Sequence, residues 1–219
     1  MEKKATELVF ILDKSGSMGG LENDTIGGYN STLKKQREVK GKCNITTVLF
    51  DHGYELLHDR IDIRAIDPIT EKEYFVEGST ALLDAIGKTI DKIGNVQKRT
   101  KDEYRAEKVL FVIITDGMEN ASRIYSSRQI KQMIERQKER YGWEFIFLGA
   151  NIDAVETAAQ YGIDASRAQN YHGDRRGVAA SYDAIGEAVS CFCQLGEIDD
   201  AWNAEIENDF ISREKGQES

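Results

Sequence analysis

The sequence contains little cysteine, histidine and proline: its 219 residues include three cysteines, three histidines and one proline. The cysteines, Cys43, Cys191 and Cys193, are odd in number and form no Cys-x-x-Cys pair, so they do not indicate a disulfide framework. We therefore expect reduced thiols, as in a cytoplasmic protein.

Segments for export or membrane insertion are also missing. An apolar strand is predicted within about eight residues of the start, which leaves no room for the charged, apolar and cleavable parts of a signal peptide. No apolar run approaches the length of a transmembrane helix. These observations predict a cytoplasmic protein without membrane contact.

The charge of the chain is unfavourable for binding nucleic acid. The formal net charge is −9, and the basic clusters at residues 34–37 and 98–101 are too small to reverse the repulsion of phosphate backbones. Cations in such positions are typical of helix ends and solvated loops. We expect no direct contact with nucleic acid, and any RNA-associated role would have to come through a partner.

Short apolar runs alternate with segments of helical periodicity along the chain. The runs are rich in β-branched and aromatic residues, and they lie at residues 8–12, 45–50, 109–114 and 145–148. Helical spacing of apolar residues occurs between them. Such alternation requires crossover connections, so it predicts a doubly wound α/β fold with a mainly parallel central sheet and helices on both faces.

Two parts of the chain depart from this alternation. Residues 44–50 and 54–63 follow each other with no helix between them, which predicts a hairpin and one antiparallel edge strand. We divide the chain into a domain at residues 1–196 and an acidic C-terminal helix or tail at residues 197–219. A stripe of Ile198, Trp202, Ile206 and Phe210 lies on one face of this helix, and it docks either on its own domain or on a partner.

Three predicted loops at one edge of the sheet carry oxygen ligands. The first follows an apolar strand and contains Asp13, Ser15 and Ser17, the second is a Gly-Ser-Thr turn ending at Thr80, and the third begins with Asp116. Ligands of open parallel sheets bind beyond the carboxyl ends of the strands, where these loops lie. Hydroxyl and carboxylate oxygens suit a hard cation such as Mg²⁺ or Mn²⁺. Each loop alone is also compatible with ordinary helix capping.

Taken together, the motifs resemble the metal-ion-dependent adhesion site of von Willebrand factor A domains. That site combines Asp-x-Ser-x-Ser, a later Gly-x-Thr turn and an Asp-Gly after a central strand, and all five positions match at Asp13, Ser15, Ser17, Thr80 and Asp116. The resemblance covers roughly residues 6–195. It implies that the two serines and the threonine bind Mg²⁺ or Mn²⁺, with Ca²⁺ less favoured, and that both aspartates accept hydrogen bonds from coordinated waters or from the serines.

The resemblance also implies a function. The last metal ligand in this family is typically a Glu or Asp of a partner protein, so we expect an intracellular, non-enzymatic adapter that binds an acidic partner residue. We assign Lys14, Met118, Glu119 and Asn151 to the rim that contacts the partner. The acidic tail offers a further carboxylate source, Glu205 or Glu207 of a neighbouring copy, which would give weak self-association.

The alternative is a Mg²⁺-dependent hydrolase, such as a phosphatase with Asp13 as nucleophile. Phosphatases of that kind usually carry a general acid two residues on, where this chain has Ser15. A serine hydrolase is disfavoured because no Gly-x-Ser-x-Gly elbow occurs and because His52, His58 and His172 lie in loop or edge contexts. A Walker-type phosphate loop is also missing.

Overall fold

The computed structural model describes the backbone of residues 5–217 and the side chains of residues 5–213. Six strands form one sheet. They are β1 (Thr6–Asp13), β2 (Cys43–Phe50), β3 (Tyr54–Asp62), β4 (Lys108–Thr115), β5 (Glu144–Ala150) and β6 (Ala168–Tyr171). The helices are α1 (Glu22–Arg37), α2 (Leu82–Arg99), α3 (Ser127–Tyr141), α4 (Ala154–Gln160), α5 (Arg175–Leu195) and α6 (Ala204–Gln217).

The strands lie in the order β3-β2-β1-β4-β5-β6, and all neighbours are parallel except β2 and β3. The predicted hairpin is therefore confirmed, and it places β3 antiparallel at one edge of the sheet. Sequential strands run outward from β1 in one direction and from β4 in the other. The order thus reverses between β1 and β4, which is where doubly wound folds open a crevice for ligands.

Each face of the sheet has its own apolar core. Along β1, Leu8, Phe10 and Leu12 pack into the core on the side of α1, α5 and α6, whereas Val9 and Ile11 pack into the core under α2, α3 and α4. This alternation follows from the two-residue period of a strand, and burial on both faces explains why the strands are apolar throughout. The prediction of helices on both faces is confirmed.

The C-terminal helix is part of this packing. Ile198 and Trp202 of the predicted stripe precede α6, which begins at Ala204, so only Ile206 and Phe210 of the stripe are helical. Ile198, Trp202 and Ile206 are buried in the core on the α1 and α5 side, so the apolar stripe docks on its own domain. Further along α6, the Phe210 ring stacks on His172 with ring centroids 4.6 Å apart. The helix therefore runs alongside β6 towards the carboxyl edge of the sheet. Residues 218 and 219 of the predicted tail lie outside the described residues.

The thiols of Cys43, Cys191 and Cys193 are free, with Cys43 buried and the other two half-buried. Within residues 5–217, none of the helices combines the length and the apolarity needed to cross a membrane.

Candidate metal centre

The five residues of the predicted metal site come together at the reversal point between β1 and β4. The Thr80 hydroxyl donates to Ser15 Oγ at 3.0 Å, and Ser15 Oγ lies 3.1 Å from Ser17 Oγ. The Ser17 hydroxyl in turn donates to Asp116 Oδ1 at 2.6 Å. Asp13, the last residue of β1, accepts the Ser15 N–H at 2.7 Å. One network of hydrogen bonds thus joins residues that are up to 103 positions apart in the sequence (116 − 13 = 103).

Backbone contacts between the loops hold this cluster in place. After β1 the chain makes a short turn of 3₁₀ helix at Gly16–Met18, and the Gly16 N–H donates to the Gly78 carbonyl at 3.0 Å. One residue earlier in the second loop, the Glu77 N–H donates to the Lys14 carbonyl at 2.9 Å. These two bonds fasten the first loop to the second, so that Thr80 reaches Ser15.

Burial changes the acidity of both carboxyl groups. Desolvation raises the pKa of Asp13 from 3.8 to about 6, although hydrogen bonds from Thr115 and Ser15 work in the opposite direction. The carboxylate of Asp116 adds a smaller repulsive contribution to this increase. Desolvation also raises the pKa of Asp116. Two buried carboxylates in one small site would therefore gain from a nearby positive charge.

Two features show that a cation fits among these residues. Asp116 Oδ2 is buried and has no hydrogen-bond partner among the described residues, and leaving a buried acceptor unpaired is costly. Gly117 allows the backbone to lie close to the hydroxyls: a Cβ there would lie 2.9 Å from Ser17 Oγ and 3.2 Å from Thr80 Oγ1. An unsatisfied carboxylate oxygen next to closely grouped hydroxyls matches the needs of a small divalent ion.

The donor set indicates which kind of cation. Three hydroxyls and two carboxylates supply only oxygen, the donor preferred by Mg²⁺ and Mn²⁺. Within the described part of the chain, no cluster of three or more His, Cys, Asp or Glu side chains is placed to hold a metal. A cation in this site would therefore depend on neutral hydroxyls and on water as well as on the two aspartates.

Two residues of the site were given no role from the sequence, although Asn120 was expected near this edge. The Thr115 hydroxyl donates to Asp13 Oδ2 at 2.5 Å and fixes that carboxylate, while Asn120 Oδ1 accepts the Thr80 N–H at 3.0 Å. Thr115 could have been predicted, because it lies at the end of β4 directly before Asp116. Nothing in the sequence indicates that the loop folds back to bring Asn120 to Thr80.

Two of the predicted rim residues were assigned wrongly. The Lys14 side chain is buried, its ammonium lies 3.1 Å from a Glu55 carboxylate oxygen, and it sits over the Phe75 ring at 4.4 Å. Glu119 accepts hydrogen bonds from the N–H groups of residues 83, 121 and 122, so its carboxylate organises its own loop. Both charges are satisfied internally and cannot serve as free contacts for a partner.

The other two rim residues are accessible. Met118 is 73% exposed and directly follows Gly117 of the metal loop. Asn151 directly follows β5, is exposed and has a positive φ of 55°. A Cβ added to Gly173 would lie 3.1 Å from the Asn151 Nδ2 atom. Of these two residues, Met118 is therefore nearer to the metal site along the chain, whereas Asn151 follows the neighbouring strand β5.

The geometry does not favour the hydrolase alternative. The Asp13 side chain is buried, and its two oxygens accept hydrogen bonds from the Ser15 N–H and the Thr115 hydroxyl, so the carboxylate is tied to its own loops and is not presented to solvent. The histidines contact other groups: His52 lies 3.3 Å from Asp51, His58 lies 3.0 Å from Thr47, and His172 lies 3.3 Å from the Phe210 carbonyl. Within the described residues, no histidine is placed to activate a serine of the cluster.

Comparison of the sequence with family models and with curated proteins gives no match. Comparison of the structure gives many matches, among them the vWF domain of the type V pili tip protein Mfa5 from Porphyromonas gingivalis. That match has a TM-score of 0.61 and 12% identity, and it covers 91% of this chain and 100% of the pilus domain.

Two further matches are longer proteins whose structures hold metals. Proximal thread matrix protein 1 from the mussel byssus, solved with a zinc-occupied MIDAS motif, has a TM-score of 0.57 and 12% identity, with 86% of this chain and 46% of that chain covered. The manganese-loaded Plasmodium vivax TRAP protein has a TM-score of 0.54 and 22% identity, with 74% of this chain and 62% of that chain covered. This chain thus spans about half to three fifths of their lengths. Its strand order, crossovers and structural matches together show that it has the von Willebrand factor A fold.

Proposed function

We propose that this chain is a cytoplasmic protein-binding module that uses a divalent cation at the carboxyl edge of its sheet to bind an Asp or Glu of a partner protein. The observation that carries the proposal is the chain of hydroxyls from Thr80 through Ser15 and Ser17 to Asp116, whose buried Oδ2 has no hydrogen-bond partner in the described residues. A cation among these oxygens would satisfy that carboxylate and offset the charge of Asp13.

The residues suggest how the cation would be held. Ser15, Ser17 and Thr80 would bind it directly, and Asp13 and Asp116 would accept hydrogen bonds from the serines or from bound water. Mg²⁺ suits this all-oxygen set and keeps several waters in most protein sites. Manganese occupies the related TRAP structure, and zinc occupies the mussel protein, which supports a divalent ion in general. We propose Mg²⁺ first, Mn²⁺ second, and Ca²⁺ as the least favoured ion because it requires more ligands.

The charge of the inner ligands suggests the chemistry of the partner. A divalent ion held mainly by neutral hydroxyls retains most of its positive charge, so it gains more from a carboxylate than from a carbonyl or another water. Beside the site, Met118 offers an exposed, flexible apolar side chain that adapts to partners of different shape.

Peptide display against the chain in Mg²⁺ would test this function, because it samples many acidic and non-acidic sequences at once. We expect the selected peptides to contain an acidic residue, and we expect chelator, or replacement of that residue by its amide, to abolish binding. Thr80→Ala should also abolish it, whereas Ser79→Ala, which removes a neighbouring exposed hydroxyl, should not. Peptide binding that survives both chelator and Thr80→Ala would contradict the proposal.

A second copy of the chain is another source of the carboxylate. Ile206 of α6 is buried against its own domain, while Glu205 and Glu207 are exposed. Self-association would therefore depend on these carboxylates alone, and we propose it as weak. Sedimentation in Mg²⁺ and in chelator would test it with Glu205→Gln and Glu207→Gln, because truncation at Gly196 would remove buried core residues. Sedimentation that is the same for wild type and variants, with and without metal, would exclude it.

A further inference from the structure

The backbone of Thr80 is held by the loop that follows β4. Its N–H donates to Asn120 Oδ1 at 3.0 Å, and its carbonyl accepts the N–H groups of Asn120 at 3.0 Å and Ala121 at 3.1 Å. Both backbone polar groups of Thr80 are therefore bound to residues 120 and 121. The position of the Thr80 hydroxyl follows from this clamp.

The clamp is supported on its other side by Glu119. Its Oε1 accepts the N–H groups of Ala121 at 2.9 Å and Ser122 at 2.7 Å, and its Oε2 accepts the Leu83 N–H at 2.9 Å in the first turn of α2. Asp84 of α2 binds back to the loop, since its carboxylate accepts the N–H groups of residues 123, 124 and 125. The loop is thus fixed to α2 although it forms neither helix nor strand.

The same loop begins with the metal residue Asp116. Only three residues separate Asp116 from Asn120. One of them is Gly117, where a Cβ would lie against the hydroxyls of Ser17 and Thr80. One short segment therefore carries a carboxylate of the site and also sets the position of its threonine. Asn120 is itself exposed to solvent, and its amide lies in a second layer behind the hydroxyls.

We propose that Asn120 is a positioning residue that sets the affinity of the site for its cation by holding Thr80 in the geometry for binding. The inference rests on the cation site of the proposed function. Groups that orient metal ligands from a second layer are important for affinity, and their loss typically weakens metal binding by about 10-fold to 100-fold. The carbonyl oxygen of the asparagine amide does this work, because it accepts the Thr80 N–H.

Titration of the full chain with Mn²⁺, followed by electron paramagnetic resonance of the free ion, would test this role. We expect Asn120→Ala to weaken Mn²⁺ binding by about 10-fold to 100-fold. Asn120→Asp keeps an oxygen that accepts the Thr80 N–H, so it should bind Mn²⁺ at least within a few-fold of wild type. Asn95→Ala removes the same side chain from an exposed position near the other end of α2, and it should have no effect.

Melting temperatures in chelator separate positioning from folding. We expect Asn120→Ala to melt within a few degrees of wild type without metal; if it does not fold, Asn120→Leu gives the same comparison, because it keeps the shape of the side chain and removes the acceptor oxygen. Affinity within twofold of wild type for the folded alanine or leucine variant would overturn the inference, as would an aspartate variant as weak as alanine. A wild-type chain that binds no Mn²⁺ would instead contradict the proposed function on which the inference rests.

Discussion

Replacing Asp13 by asparagine should stabilise the metal-free protein at neutral pH while abolishing metal binding. The asparagine fits the existing hydrogen bonds, because its oxygen can accept the Ser15 N–H in place of Asp13 Oδ1. Its NH₂ group can donate to the Thr115 hydroxyl, which then has the Gly117 carbonyl as its own acceptor at 3.2 Å. The substitution therefore removes a buried negative charge and keeps both hydrogen bonds that the Asp13 side chain makes.

The size of the effect follows from the pKa of Asp13, which burial raises from 3.8 to about 6. A raised folded-state pKa means that the folded protein holds this proton more tightly, so the associated stability is present below about pH 4 and is lost as the pH rises through about 6. A difference of about two pKa units corresponds to about 3 kcal/mol at pH 7. For a chain of this size, that is roughly 6 to 12 °C in melting temperature.

Thermal melts in chelator from pH 4 to pH 8 would measure this difference. We expect Asp13→Asn to melt above wild type at pH 7 and 8, and we expect the gap to close near pH 4, where wild-type Asp13 is protonated. Asp67→Asn removes an exposed aspartate next to Pro68 and should show no such pH-dependent gap. An asparagine variant that is less stable than wild type at pH 7, or a gap that does not depend on pH, would refute the reasoning.

Three further predictions concern the site and its surroundings. Mg²⁺ at a hundredfold excess over its dissociation constant should stabilise the wild type by about 2.7 kcal/mol, and unchanged melting in Mg²⁺ and Mn²⁺ would contradict a bound cation. Gly117→Ala should weaken Mn²⁺ binding roughly tenfold or more, because its Cβ would lie 2.9 Å from Ser17 Oγ, and titration showing wild-type affinity would argue against the cradle. Lys14→Met should lower the free energy of unfolding by roughly 3 to 5 kcal/mol, because the buried Asp51 carboxylate loses a cation 3.9 Å away, yet one Mn²⁺ should still bind per chain. Loss of Mn²⁺ binding in a folded Lys14→Met variant would instead show that Lys14 contributes to the metal site.

The fold and the main residues of the site could be predicted because both depend on strand ends. Apolar runs mark the parallel strands, and the carboxyl ends of such strands meet at one edge of the sheet. The sequence therefore predicts that Asp13 and Asp116 lie near each other. Thr80 does not follow a strand end, and it was assigned through the resemblance to the motif order of von Willebrand factor A domains. The sequence pattern therefore carries the information that brings these residues together.

Lys14 and Asn120 show what the pattern does not carry. A sequence neighbour of a metal residue is expected to be exposed by its position, but the Lys14 side chain is enclosed by Glu55 and Phe75, which approach from a distant hairpin and loop. Asn120 reaches Thr80 only because the loop after β4 folds onto α2, and irregular loops have no periodicity from which to predict such contacts. The apolar stripe at residues 198–210 is a third example, because helical spacing shows an apolar face but does not show which surface covers it.

Direct measurement of Mn²⁺ binding by electron paramagnetic resonance tests the central claim, that Asp13, Ser15, Ser17, Thr80 and Asp116 form one cation site. The account predicts one tightly bound Mn²⁺ per wild-type chain, displaced by excess Mg²⁺, and none for a folded Asp116→Asn or Thr80→Ala variant. A bound ion that persists in both variants, or a wild-type chain that binds none, would contradict it.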